Sequence, residues 1–131
     1  MAKYAYPAIF VKEETGYSVT FPDIDGCFSA GANLPEAIEM AADALCLVLY
    51  DKEECGEEIP PASNVKQVQA ENGAEVSLVF CDTVEYRKFY DNRAIKKTLT
   101  IPNWLNTVAE KAGVNFSMVL QEALKAKLDL T

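Results

Sequence analysis

Two sets of residues in this sequence have types and spacing that could do chemistry. Asp23 and Asp25 flank Ile24 in the run Pro22-Asp23-Ile24-Asp25-Gly26, and nucleases use converging carboxylates to hold two metal ions for phosphoryl transfer. The same pair lies in a tight turn with Pro and Gly, where aspartate commonly caps the backbone, and contact with a partner is a third reading. The chain has no histidine, which removes histidine-based acid–base and triad catalysis. No Lys base lies near the pair in sequence, and the glycines at 16, 26 and 31 form neither of the phosphate-cradling patterns. The second set is Lys96-Lys97-Thr98-Leu99-Thr100-Ile101-Pro102. Read at period two, Lys96, Thr98 and Thr100 share one face of a strand and Lys97, Leu99 and Ile101 the other. Two such strands, paired, would present short polar and basic side chains of a size that enters the DNA major groove.

The elements around the Lys-x-Thr-x-Thr row are set up to position it. Pro102 ends the strand and suits a helix's first turn. Trp104, Leu105, Val108, Ala109 and Ala112 recur at helical spacing up to Gly113, a stop signal. A second helix starts from Asn115 as N-cap, with Phe116, Val119, Leu120, Ala123, Leu124 and Leu128 as its apolar stripe. One strand with two amphipathic helices cannot cover its own apolar faces or its bare strand edges. A twofold dimer through residues 96–128 solves both problems by pairing the strands above four helices. At these residues the sequence resembles the ribbon-helix-helix DNA-binding modules of the Arc/MetJ/CopG type. That resemblance implies that Lys96, Thr98 and Thr100 read bases, and that the start of the second helix, at Asn115, Phe116 and Ser117, holds a DNA phosphate through backbone N–H groups.

The net charge of −8 hides a division. Residues 1–86 carry four bases against sixteen acids, or −12, and residues 87–131 carry eight against four, or +4. An acidic body with a basic tail is compatible with DNA binding by the tail, and the body should attract a basic partner. Cys27, Cys46, Cys55 and Cys81 are widely spaced with no Cys-x-x-Cys, so free thiols in a reducing cytoplasm are expected, without metal or cofactor. No signal peptide or membrane-length apolar run is found, and a cytoplasmic protein is expected.

Taken in order, residues 3–12 read as a strand apolar on both faces, in which Pro7 argues for an edge or irregular position. Tyr17, Val19 and Phe21 alternate in a second strand, and Cys27–Gly31 makes a short third. Asn33 and Glu36 have capping-box spacing at the start of a helix whose stripe is Leu34, Ala37, Ile38, Ala41, Leu45, Val48 and Leu49, ending near Cys55-Gly56. Asp51, Glu53, Glu54, Glu57 and Glu58 crowd its last turn and exit, with only Lys52 opposing. Acids there oppose the helix dipole, so the cluster is either a docking surface or a solvated acidic face. Glu75–Cys81, with Val76, Leu78 and Phe80 alternating, reads as a fourth strand, and Asp82–Ile95 as a short helix or a connector.

The run Gly16-Tyr17-Ser18-Val19-Thr20-Phe21-Pro22-Asp23-Ile24-Asp25-Gly26-Cys27, then Gly31, then Leu34-Pro35-Glu36-Ala37, resembles the N-terminal domain of HicB-type antitoxins. The resemblance implies an α+β protein with a truncated RNase H-like β-β-β-α-β domain over 1–82, a linker over 83–94 and the ribbon-helix-helix module over 95–131. It also implies an antitoxin that occludes a small basic HicA-type RNA-cleaving toxin and represses its own operon by binding operator DNA as a homodimer, able to assemble further through its N-terminal domains. On that reading the protein is not an enzyme, and Asp23, Asp25, Glu53, Glu54, Glu57 and Glu58 are candidate toxin contacts. A repressor whose N-terminal domain senses a small molecule is the alternative, and a metal-dependent nuclease a further one.

Overall fold

The computed structural model describes residues 2–130, which divide into two compact units between Arg93 and Ala94. In the first unit β1 (Lys3–Glu13), β2 (Gly16–Thr20), β3 (Phe28–Gly31) and β4 (Glu75–Asp82) form an antiparallel sheet in the order β3-β2-β1-β4. β1 is therefore central, contrary to the edge position that Pro7 suggested. The register gives the reason: Pro7 pairs with Leu78 of β4, whereas the ladder to β2 begins only at Ile9, so β1 has a neighbour on one side at the proline.

The register also fixes the two faces. Tyr4, Tyr6, Ala8 and Phe10 of β1 align with Cys81 and Val79 of β4 and Val19 of β2 on one face. Against it lies α1 (Leu34–Glu54), whose buried Ala37, Ala41, Leu45 and Leu49 recur every fourth residue. Ile38, expected in this stripe, is exposed, because the helix meets the sheet along the narrow row of alanines and leucines instead. The small residues bring the backbones close: a Cβ on Gly31 of β3 would lie 2.3 Å from the Ala37 backbone nitrogen. Asn33 caps α1 by accepting from the Glu36 N–H at 2.9 Å.

The fourth strand faces the opposite way from its most apolar residues. Val79 and Cys81 are buried under α1, while Leu78 and Phe80 point away from it and are more than half exposed. Of the two readings of Asp82–Ile95 the short helix is the one formed, so the span 83–94 is not all linker: Thr83–Tyr90 is α2, which packs on α1 and belongs to the first unit. Thr83 anchors it, fully buried, with its hydroxyl accepting from the Ala2 N–H and lying 3.1 Å from the Glu53 carboxylate.

In the second unit α3 (Asn103–Lys111) and α4 (Phe116–Lys127) are joined by a tight turn. Gly113, at φ 71°, lets its own N–H reach Glu110 O and the Val114 N–H reach Ala109 O, which closes α3. Residues 91–102 have no regular secondary structure, so the strand expected over 96–101 is not formed within one chain. A strand needs a hydrogen-bonded neighbour, and among the described residues none pairs with this segment. None of the described residues of this unit is buried.

Candidate functional site

The Asp23–Asp25 turn is held by the structure around it. Asp23 accepts from Ser63 twice, from the backbone N–H at 2.8 Å and from the hydroxyl at 2.6 Å, so both its carboxylate oxygens are engaged. Phe21 N–H to Cys27 O and Ile24 N–H to Phe21 O close the turn itself. Asp23 thus fastens the segment after α1 to the β2–β3 connection, while Asp25 is exposed. Among the described residues no group of three or more His, Cys, Asp or Glu side chains is placed to hold a metal ion.

The acidic cluster at the end of α1 separates into two populations. Glu53 is nearly enclosed, its side chain only 7% exposed, and its carboxylate receives Tyr4 Oη at 2.7 Å, the Thr83 hydroxyl at 3.1 Å and Arg87 Nη1 at 2.7 Å. Burial pushes this carboxyl up, but the hydrogen bonds from Arg87, Tyr4 and Thr83 outweigh it and hold it down at about 2. Tyr4 is pushed up to about 12 by burial and by its bond to Glu53. Glu54 takes the other side of the same guanidinium, with Arg87 Nη2 at 2.9 Å, and the guanidinium carbon stands 4.7 Å from the centre of the Tyr50 ring. Glu53 is therefore corrected from docking residue to structural hub, and Glu54 is already paired. Glu57 and Glu58 remain exposed.

Arg87 had been counted with the basic tail, yet it neutralises the body. Divided at residue 93, the first unit has seven bases against seventeen acids, or −10, and the second has five lysines against three acids, or +2.

The feature that sequence reading missed is the sheet face opposite α1. The register places Phe28, Thr20, Ile9 and Val76 in one row across all four strands, with Pro7 and Leu78, then Ala5 and Phe80, beside it. Phe28, Leu78 and Phe80 are 72%, 57% and 59% exposed, more apolar surface than an ordinary solvated face carries. The signal was present as the double-sided apolar pattern of residues 3–12, which calls for cover on both faces. A cleft of about 300 Å³ lies beside the β1–β2 turn, lined by Glu13, Thr15, Gly16, Tyr17, Ala30, Gly31 and Ala32. Glu13 is its one charged residue.

In the second unit Lys96, Thr98 and Thr100 are all exposed in the irregular segment before α3. Asn115 caps α4 by accepting from the Met118 N–H at 3.1 Å. The first-turn N–H groups of Phe116 and Ser117, which have no acceptor within the helix, are left for an external one. The structure thus gives the three row residues and the helix start separately, without the paired ribbon that would join two copies of each. Trp104, Val108, Val119 and Leu124 are each at least half exposed.

The model of the HicB-like antitoxins of bacterial toxin–antitoxin systems matches residues 6–123, which run through both units. The chain belongs to that family. Antitoxin HicB 2 of Photorhabdus laumondii subsp. laumondii is 36% identical over 72 residues, 55% of this chain and 52% of that protein. The chain spans about half the length of the curated relatives it matches. Among solved structures, a toxin–antitoxin complex from Streptococcus pneumoniae contains a chain 28% identical, with 95% of this chain and 99% of that one covered at a TM-score of 0.61. A chain of a HicA3 and HicB3 toxin–antitoxin complex is 26% identical, covering 60% of this HicB-like chain and 99% of its own length at a TM-score of 0.52. The mixed fold, a four-stranded antiparallel sheet with helices, is thus one that HicB antitoxins share.

Proposed function

We propose that this HicB-like protein is an antitoxin that binds a small basic HicA-type toxin through its first unit, and that two copies of its second unit pair to bind operator DNA and repress transcription. The observation that carries the reading is the family match over residues 6–123, which includes both units. It is supported by relatives that come from a toxin–antitoxin complex and from a HicA3–HicB3 complex.

The surface offered to the toxin is the open sheet face with Phe28, Leu78 and Phe80. An apolar centre on a unit of net −10 suits a basic RNA-binding protein whose own apolar patch needs cover. Exposed Asp25, Glu57 and Glu58 supply attraction, whereas Asp23, Glu53 and Glu54 are committed within the fold. Inhibition is occlusion: the toxin's RNA-binding surface is covered, and no reaction by the antitoxin is involved.

The second unit supports the DNA half. Two helices with exposed Trp104, Val108, Val119 and Leu124 require a partner, and a second copy supplies both the cover and the missing strand. Lys96, Thr98 and Thr100 would then appear twice on one ribbon, with two α4 starts beside it for phosphates.

The experiment is to purify the tagged protein without denaturant from its native host. A small basic protein should come with it and should cleave RNA once released. A preparation free of any protein partner, from cells expressing the neighbouring genes, would overturn the antitoxin reading. Phe80→Glu in the same experiment should lose the toxin while the protein stays folded.

A further inference from the structure

The outer edge of β4 is open, and its phase can be read from one hydrogen bond. The Thr83 N–H donates to Ala2 O at 3.2 Å, one step beyond the last ladder pair, Lys3 with Asp82. Along an antiparallel strand, residues bonded to the neighbour alternate with residues whose N–H and C=O point away from it. Counting back from Thr83, Cys81, Val79 and Ser77 bond to β1, while Phe80, Leu78 and Val76 turn their backbone groups outward. Pro7 agrees with this phase: it stands opposite Leu78, where β1 has no N–H to give. Among the described residues no backbone group bonds to these three outward pairs. Leu78 O receives only the Ser77 hydroxyl, at 3.5 Å, the limit of a hydrogen bond.

Folded proteins guard such edges with short strands, prolines or lysines. The opposite edge, β3, has four residues, whereas β4 has eight and contains no proline, lysine or arginine. Its only charges, Glu75 and Asp82, are at its ends. The residues with free backbone groups are also those whose side chains lie on the open sheet face, where Leu78 and Phe80 are more than half exposed. A strand laid along this edge would place its own side chains beside that apolar row, because residues opposite one another share a face.

Resting on the antitoxin reading, we propose that the basic toxin docks by strand addition: an extended segment of it hydrogen-bonds to the outward groups of Val76, Leu78 and Phe80 and makes β4 an inner strand. The backbone bonds supply register, and apolar side chains at every second position of the added strand cover Leu78 and Phe80. Charge selects the occupant. The first unit carries −10, so a second copy at this edge would meet like charge, whereas a basic protein is drawn to it.

Amide hydrogen exchange tests this in the full chain, isotope-labelled and co-expressed with the basic protein that co-purifies with it. In the free chain the Ser77, Val79 and Cys81 amides should exchange slowly and those of Val76, Leu78 and Phe80 fast. In the complex the latter three should slow by about a hundredfold or more. A bound toxin with these three amides as fast as in the free chain would overturn strand addition and leave the antitoxin reading standing. Protection in the free chain that grows with its concentration would overturn it too, by showing a second copy at the edge. Failure to recover any basic protein would remove the antitoxin reading itself. Leu78→Pro deletes an outward N–H without touching the β1 ladder, and Leu78→Ala removes the side chain alone. The proline variant should bind the toxin about tenfold more weakly than the alanine variant, and equal binding by the two would overturn the proposal.

Discussion

Arg87 Nη1 on α2 lies 2.7 Å from Glu53 Oε1 on α1, with the two side chains only 17% and 7% exposed. Glu53 also accepts from Tyr4 of β1 and Thr83 of α2, so three elements, α1, α2 and β1, meet on one carboxylate. Desolvating this pair is costly, and its Coulombic gain alone does not settle whether it stabilises the fold. What the geometry does settle is what breaking it removes: without the Glu53 charge the largely buried Arg87 keeps the half-exposed Glu54 as its carboxylate partner.

Glu53→Gln is therefore expected to lower the stability of the first unit by about 1–3 kcal/mol, the range for losing hydrogen bonds to a charged group. The two units carry separate probes, since all six tyrosines precede Ala94 and the single tryptophan is Trp104. Urea titration followed by tyrosine near-ultraviolet circular dichroism should show an earlier midpoint, with Trp104 fluorescence less affected. An unchanged tyrosine transition would refute the role given to Glu53.

The same carboxyl sets an acid limit. Its value falls from an ordinary 4.5 to about 2 on folding, so it contributes stability above pH 4.5 that is lost as the pH drops towards 2. Tyr4 is shifted the other way, from 10.0 to about 12; its contribution is present below pH 10 and lost as the pH rises towards 12. Urea midpoints of the first unit should decline in both windows, and Glu53→Gln should flatten the acid one. A variant as acid-sensitive as the parent would show that other groups govern the decline.

Gly31→Ala should cost about 1–3 kcal/mol by forcing β3 off the start of α1. The added Cβ would meet Ala37 backbone atoms at 2.3 and 2.6 Å, and backbone cannot swing aside as a side-chain tip can. Thermal unfolding of the first unit measures it, and a Tm equal to that of the parent would show that the helix has room to move.

Local signals were legible because local physics makes them. Asn33, Gly113 and Asn115 mark helix ends by capping and stop chemistry contained within a few residues, and the structure uses each in that way. Three of the strands were readable from period, and the long helix from its stripe together with its cap. What depended on distant partners was not. Glu53 looked like a surface acid until Arg87, far along the chain, was folded onto it. Val76, Leu78 and Phe80 alternate along β4, but strand periodicity gives two faces without saying which one a helix will cover. Residues 96–101 have a strand's alternation and no strand in one chain, because the hydrogen-bonding neighbour such a segment needs lies outside it.

Pairing of the second unit can be tested at its exposed apolar row. Val108, 59% exposed, shares the α3 stripe with Trp104 and Leu105. Val108→Asp would bury an unpaired charge in a dimer core, at a cost of several kcal/mol, raising the dimer dissociation constant by roughly a hundredfold or more. Analytical ultracentrifugation should find a dimer for the parent and a monomer for the variant, with Trp104 emission shifted to the red. A monomeric parent would remove the basis for a paired ribbon.

If the strands pair, the faces of residues 96–101 become distinguishable by mutation. Lys96, Thr98 and Thr100 would point into the groove, while Lys97, one residue out of phase, would lie on the side of the helices. Lys96→Ala, Thr98→Ala and Thr100→Ala should each weaken binding to the DNA upstream of the protein's own gene by about 1–3 kcal/mol, with folding intact. Lys97→Ala has the same charge change as Lys96→Ala and serves as its control. A purely electrostatic attraction would be reduced equally by both lysine changes, and neither threonine change would matter. Gel-shift titrations over a range of salt separate the two cases: groove contact predicts a deficit for Lys96, Thr98 and Thr100 that Lys97 does not share. Unchanged affinity in all three would sink the ribbon assignment, whatever the fate of the toxin-binding half.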